Sequence, residues 1–280
     1  MSSRIPPLLE PYLALPPEAS LVLLTSVLGA STNWLTLRFL HRTLVSSEVS
    51  SEVDSEEEPK VLLVSFMRDL AFWKENARRL GLDLDKLATK KKFMFVDGLS
   101  GLFLPRQQKT NQAKVTDITL SNPSLDKVTQ EIQSAAKTLR DTQGTAKVLL
   151  VVDQLDLLLA AGGEQIGAVD VGEMLMSLRE DVHATIISLS ADLPLVSSHE
   201  TPLEGDHAAF LLSIAHQADF TMSIRLLDTG TARDVSGVLR ITIGDRALGD
   251  DHDTRKRIEE KELLYFVGGD GGVKVFERGQ

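Results

Sequence analysis

Ser20-Leu-Val-Leu-Leu-Thr-Ser-Val-Leu-Gly-Ala-Ser-Thr-Asn-Trp-Leu-Thr-Leu-Arg-Phe-Leu-His41 is the stretch that decides the fold. An apolar run, Leu21 to Leu24, enters a small-residue turn centred on Gly29. Beyond it, Leu35, Phe39 and Leu40 recur at helical spacing. Strand, turn and helix at the start of an α/β chain form the usual seat of a nucleotide phosphate. The phosphate-loop pattern is G-x-x-x-x-G-K-[ST]. In the frame that starts at Gly29, the first glycine and the final Thr36 fit, whereas Trp34 stands for the second glycine and Leu35 for the lysine. That lysine places an ammonium against the phosphates, and Leu35 carries no charge. Trp34 is too bulky where backbone must wrap a phosphate closely. The stretch therefore reads as a packed strand-to-helix turn that keeps the geometry of a phosphate site and has lost its chemistry.

Outward from there, 280 residues with 42% hydrophobic and 25% charged content suit one large α/β domain. The net charge is −10, and residues 46–59 hold six acids and no base, which leaves the remainder at −4. Such a surface binds nucleic acid poorly by itself, because phosphate neutralisation supplies most of that affinity. Aromatics at 5% exclude widespread base stacking. Without cysteine there are no disulfides, thiolate metal sites or cysteine nucleophiles, which is compatible with a reducing interior compartment. Prolines and acids between Arg4 and the first apolar run argue against a secretory signal, and Leu21 to Leu28 is too short for a membrane span.

Residues 1–19 read as a proline-rich arm, either loosely packed or docked on a neighbouring subunit. Residues 20–280 read as a single domain interrupted by an acidic, disordered insertion at 46–59. The first helix is expected over Thr36 to Leu44. Near-continuous apolar runs at Lys60 to Phe66, Phe93 to Val96, Lys147 to Asp153 and Ala184 to Leu189 are the mark of parallel strands buried on both faces. Helical periodicity occupies Arg68 to Gly81, Leu84 to Thr89, Pro123 to Arg140 (capped by Ser121 or Asn122), Val169 to Asp181 and His207 to Ala218. Ala191 to Asp206 reads as a long polar loop. From Phe220 onward short strands alternate with turns, and Gly268 to Gly271 signals a hairpin. The expected architecture is a three-layer α/β fold with a mostly parallel central sheet and antiparallel strands at the C-terminal end.

Lys147 to Asp153 has the shape of a Walker B strand, aliphatics closed by a carboxylate that could reach a magnesium ion. With no lysine nearby, Asp153 reads as a local cap or hydrogen-bond acceptor, and Asp156 with it. The six histidines show no i, i+4 zinc pair, and Ser65, Ser100 and Ser188 lack a hydrolase elbow. No catalytic residue, metal site or cofactor is assigned. Arg106, Lys109 and Lys114, in a stretch without acids, are the candidate RNA-phosphate contacts, against the alternative of a solvated loop.

Val61-Leu-Leu-Val-Ser-Phe-Met-Arg-Asp-Leu-Ala-Phe-Trp-Lys-Glu-Asn-Ala-Arg-Arg-Leu-Gly-Leu-Asp-Leu, followed by Phe93-Met-Phe-Val-Asp-Gly-Leu-Ser, resembles the sixth-subunit family of the Elongator complex in its fungal form. That resemblance implies a RecA-like ATPase fold without an intact phosphate loop. It implies a hetero-hexameric ring built with two related RecA-like subunits, joined to the catalytic Elongator subcomplex. The ring binds tRNA and supports modification of its wobble uridine, so a cytoplasmic location, with the nucleus also open, is implied. Loops 160–168 and 191–206 would by position face the ring pore. Two alternatives of other classes stand beside it: an active RecA- or clock-type ATPase with an atypical phosphate turn, and a solitary Rossmann-type transferase, which no glycine-rich turn supports.

Overall fold

The computed structural model describes residues 5–49, 58–104, 117–140, 146–197, 200–228, 230, 232–244 and 258–279. Ten strands among them form one sheet: β1 (Leu21–Ser26), β2 (Lys60–Ser65), β3 (Phe93–Asp97), β4 (Asp117–Thr119), β5 (Val148–Asp153), β6 (Ala184–Ser190), β7 (Phe220–Arg225), β8 (Gly237–Ile243), β9 (Lys261–Val267) and β10 (Val273–Phe276). Their order is β10-β9-β8-β7-β1-β6-β5-β2-β3-β4. From β4 to β7 every pairing is parallel, and β8, β9 and β10 add antiparallel strands at one edge. β1 lies inside the sheet between β6 and β7, and one strand separates it from β5. The expected α/β class and its antiparallel end are both present.

The aliphatic runs explain the layering. Side chains alternate faces along a strand, so a run apolar at every position must be covered on both sides. Val22, Leu24, Leu63, Phe95 and Val151 face one core with α1 (Asn33–Val49), α2 (Leu70–Arg79) and α3 (Leu84–Thr89). Leu21, Leu23, Val64, Leu150 and Val152 face the other, under α4 (Leu125–Leu139), α5 (Leu157–Gly162), α6 (Ala168–Glu180) and α8 (Pro202–Gln217). Asp69 caps α2 by accepting from the Phe72 amide at 2.8 Å, and Gly81, at φ 75°, ends it in the left-handed conformation that glycine permits.

Several boundaries differ from those the periodicity predicts. α1 runs from Asn33 to Val49, so the first residues of 46–59 continue a helix, while 50–57 lie outside the described residues. The polar stretch 191–206 carries α7 (Leu193–Ser197) and the start of α8. α8 begins at Pro202 because Thr201 and Glu204 form a reciprocal capping box, with Glu204 Oε2 accepting from the Thr201 amide at 2.9 Å. Ser124, rather than Ser121 or Asn122, stands at the N-cap of α4; Asn122 instead accepts from the Ser124 amide at 3.0 Å. Loop 160–168 is the end of α5, a 3-10 turn over Gly163–Gln165 and the entry to α6.

The proline-rich lead-in is packed against its own domain. Leu9 and Leu13 are wholly buried in the core on the α1 side. Burying each leucine contributes roughly 1.5–3 kcal/mol, enough to order a short segment. Prolines donate nothing but still accept: the Leu9 amide donates to Pro6 O, Ser20 to Pro17 O, and a ring nitrogen of His183 meets Pro16 O at 3.1 Å. The Tyr12 hydroxyl donates to the Glu259 carbonyl at 2.9 Å, tying the lead-in to the chain just before β9.

Candidate functional site

The turn after β1 closes upon itself. Val27 and Ala30 form a bridge, with the Ala30 amide donating to Val27 O at 2.9 Å, and Gly29 takes φ 87° at its apex. A side chain on Gly29 would be strained by that φ and would crowd Leu226. The Leu28 amide donates to Asp192 Oδ1 at 2.7 Å. A phosphate loop needs its amides free and convergent on the anion. Here one amide is used within the turn and another already holds a carboxylate of the same chain.

The helix side of the turn is equally committed. Leu35 is fully buried in the core, and Thr36 is buried with its amide donating to Thr32 O. Trp34 stacks on Tyr265 of β9, ring centroids 5.2 Å apart and 30° between planes. Burial pushes the Tyr265 hydroxyl up to about 12. Trp34 and Leu35 thus take packing roles where the phosphate-loop pattern calls for a flexible backbone and a cation.

Asp153 ends β5 in register with Ser65 of β2 and Ser188 of β6. The Ser65 hydroxyl donates to Asp153 Oδ2 at 2.7 Å, and the Ser188 hydroxyl donates to Oδ1 at 3.1 Å. Both serines are themselves engaged, accepting from the Arg68 and Gln154 amides. The carboxylate therefore stitches three strands together. Burial raises its pKa above the ordinary carboxylate value, opposed by the two serine bonds and by Arg68. Gln154, at φ 56°, leaves the strand in a left-handed conformation. Asp156 accepts from the Ser190 amide at 3.1 Å and faces His207 Nδ1 at 3.9 Å. Burial raises its pKa as well. No group of three or more His, Asp or Glu side chains able to hold a metal occurs among the described residues.

Beside the turn, between α1, α2 and the β9–β10 hairpin, lies a pocket of about 350 Å³. Ser31, Trp34, Arg38, Asn76, Arg79 and Tyr265 are among its walls. Arg38 is 2% exposed, and its guanidinium donates to the Trp34 carbonyl at 3.2 Å and the Gly271 carbonyl at 3.0 Å. Burial alone lowers its pKa to about 10.

The family profile described as Elongation complex protein 6 matches residues 55–262, well over half of the chain. The chain belongs to the Elongation complex protein 6 family. A relative from Schizosaccharomyces pombe (strain 972 / ATCC 24843), the Elongator complex protein 6 homolog, is 23% identical over 266 residues, covering 95% of this chain and 94% of the relative. Among solved structures, a KaiC-like protein from the hyperthermophilic archaeon Pyrococcus horikoshii OT3 superposes with a TM-score of 0.58 at 17% identity, over 98% of this chain and 97% of the other. The fold of this family member is thus the RecA-like one that the resemblance implied.

In this family member the structure brings Gly29, Trp34, Leu35 and Thr36 together at the turn, with Asp153 one strand beyond β6. Arg106, Lys109 and Lys114 lie outside the described residues. Periodicity missed Arg38, Asp192, Ser65 and Ser188 as parts of the site. The serines could have been found, since each sits at the end of an aliphatic run alongside the one that closes on Asp153. No helix of the described residues is long and apolar enough to cross a membrane.

Proposed function

We propose that this Elongation complex protein 6 family member is a non-catalytic, architectural subunit of a RecA-like ring within Elongator. It assembles with two related RecA-like subunits into a hetero-hexamer that joins the catalytic subcomplex. The ring binds tRNA and supports wobble-uridine modification, in the cytoplasm and, where the complex is present there, the nucleus. One observation carries the non-catalytic part. The turn that would grip a nucleotide has two of its amides engaged, Leu28 by Asp192 and Ala30 by Val27, and presents buried Leu35 in place of a cation. Phosphoryl transfer depends almost wholly on positioned charge, and Leu35 supplies none at the place of the lysine.

The surroundings of the turn favour a protein partner. Leu28 is 87% exposed, and Leu193 and Leu226 are exposed beside it in chain or space. Exposed leucines around a lost ligand site are the composition of a protein-binding patch. The test is co-expression with the two related subunits, followed by mass measurement of the purified complex and calorimetry of the lone chain with ATP and magnesium. A defined hetero-oligomer and no ATP binding are expected. Micromolar ATP binding by the lone chain, or a chain that stays monomeric with both relatives present, would overturn the proposal.

A further inference from the structure

Arg38 and Arg79 converge on the β9–β10 turn from two different helices. Arg38, on α1, donates to the Gly271 carbonyl. The stem of Arg79, on α2, packs against the other side of Gly271, 3.3 Å from where a Cβ would stand. Both line the pocket between these elements, and no acid does among the described residues. Arg79 pairs with Glu75 at 2.8 Å on the exposed rim. Arg38 is nearly fully buried, no carboxylate perturbs it, and its Nε is buried without a partner. A guanidinium stays protonated even when buried, so this charge is held inside the fold without a counter-ion among the described residues. In a chain of net charge −10, a pocket with two arginines and no acid runs against the overall balance.

Aromatic side chains line the same pocket. Trp34, stacked on Tyr265, and Phe72 of α2 are among them. A volume of about 350 Å³ is at the small end for organic ligands and excludes bulky ones. We propose that this pocket binds a compact organic carboxylate, its charged group paired with Arg38 and Arg79 and its planar body against Trp34, Phe72 and Tyr265. Guanidinium donors match a carboxylate in geometry, and the low dielectric around Arg38 strengthens the pairing. All the lining residues come from one chain, so the lone chain is enough for the test.

The test uses the purified full chain with benzoate as probe, read by calorimetry and by the shift of the unfolding midpoint. Benzamide, acetate and adenosine monophosphate serve as comparisons. Benzoate is expected to bind saturably, and benzamide, equal in shape but uncharged, to bind about tenfold more weakly or worse. Acetate, without a ring, should also bind more weakly. Arg79→Ala should weaken benzoate about tenfold and leave the ligand-free midpoint nearly unchanged, because Arg79 is on the rim. Arg38→Gln should abolish binding; if that variant does not fold, Arg79→Ala decides. Equal binding of benzamide and benzoate, tighter binding of adenosine monophosphate, no benzoate binding, or unchanged affinity in Arg79→Ala would each overturn the proposal.

Discussion

Asp153 and Arg38 are both ionisable and almost wholly buried, yet the fold treats them in opposite ways. Asp153 has a serine hydroxyl on each oxygen, from the two strands that flank it. Arg38 has two backbone carbonyls, an idle Nε and, among the described residues, no acid. In the first, both oxygens are engaged within the sheet and the side chain is shut off from solvent. The second leaves positive charge beside an open pocket. A motif that resembles chemistry can thus be purely structural, while a residue in no motif retains the capacity to bind. The turn at Gly29 falls on the Asp153 side of this contrast.

The largest effect should come from restoring the cation that the turn lacks. Leu35→Lys would place an ammonium in a fully buried position within an apolar cluster. An uncompensated buried charge costs about 3–5 kcal/mol, a large share of the stability of a typical domain. Urea unfolding should show that loss, and calorimetry should show no gain of ATP binding. A stable variant that binds ATP would break the contrast, because the turn would then be an open site missing one residue.

That position also shows how much the sequence could disclose. The aliphatic runs revealed β2, β3, β5 and β6 because a strand covered on both faces admits few polar residues. The loss of the phosphate lysine was legible at Leu35. The packing of Leu9 and Leu13 was not, since proline density suggested an arm and a bond that ties it down, from Tyr12 to Glu259, reaches almost the whole chain away. Thr201-Pro-Leu-Glu204 carried a legible capping signal inside a stretch whose polarity suggested a loop. Arg38 had no local signal at all. It lies in a helix where arginine is ordinary, and its burial arises from a hairpin 233 residues further along.

A smaller effect is expected at Asp153, where pH separates structural from chemical roles. Burial is the main cause of its raised pKa, so the folded state holds the proton more tightly than the unfolded state. Below the ordinary value of 3.8 both states are protonated and no electrostatic penalty arises. As pH rises through that value the unfolded chain ionises first, and stability falls until the folded carboxyl also ionises. Asp153→Asn removes this dependence and can keep bonds to both serines. Urea midpoints measured between about pH 4 and about pH 7 should show the variant gaining on the parent as pH rises. The opposite slope would mean that the ionised carboxylate is favoured in the fold, as for a group awaiting a cation.

The smallest effect concerns Asp192, which occupies the Leu28 amide at the rim of the turn. Asp192→Ala frees that donor, and because the pair is solvent-exposed the stability change should be about 0.5 kcal/mol or less. The informative measurement is calorimetry with inorganic phosphate. If the turn has lost its function through accumulated packing, one freed amide is not enough. The Ala30 amide still serves Val27, Leu35 still supplies no charge, and anion sites of this type rely on several convergent donors. No saturable phosphate binding is then expected. If phosphate binds once Asp192 is gone, the carboxylate is acting as a built-in occupant of a working cradle. The turn would then belong with Arg38 among the places where binding capacity survives, and the line between the two regions would have to be redrawn.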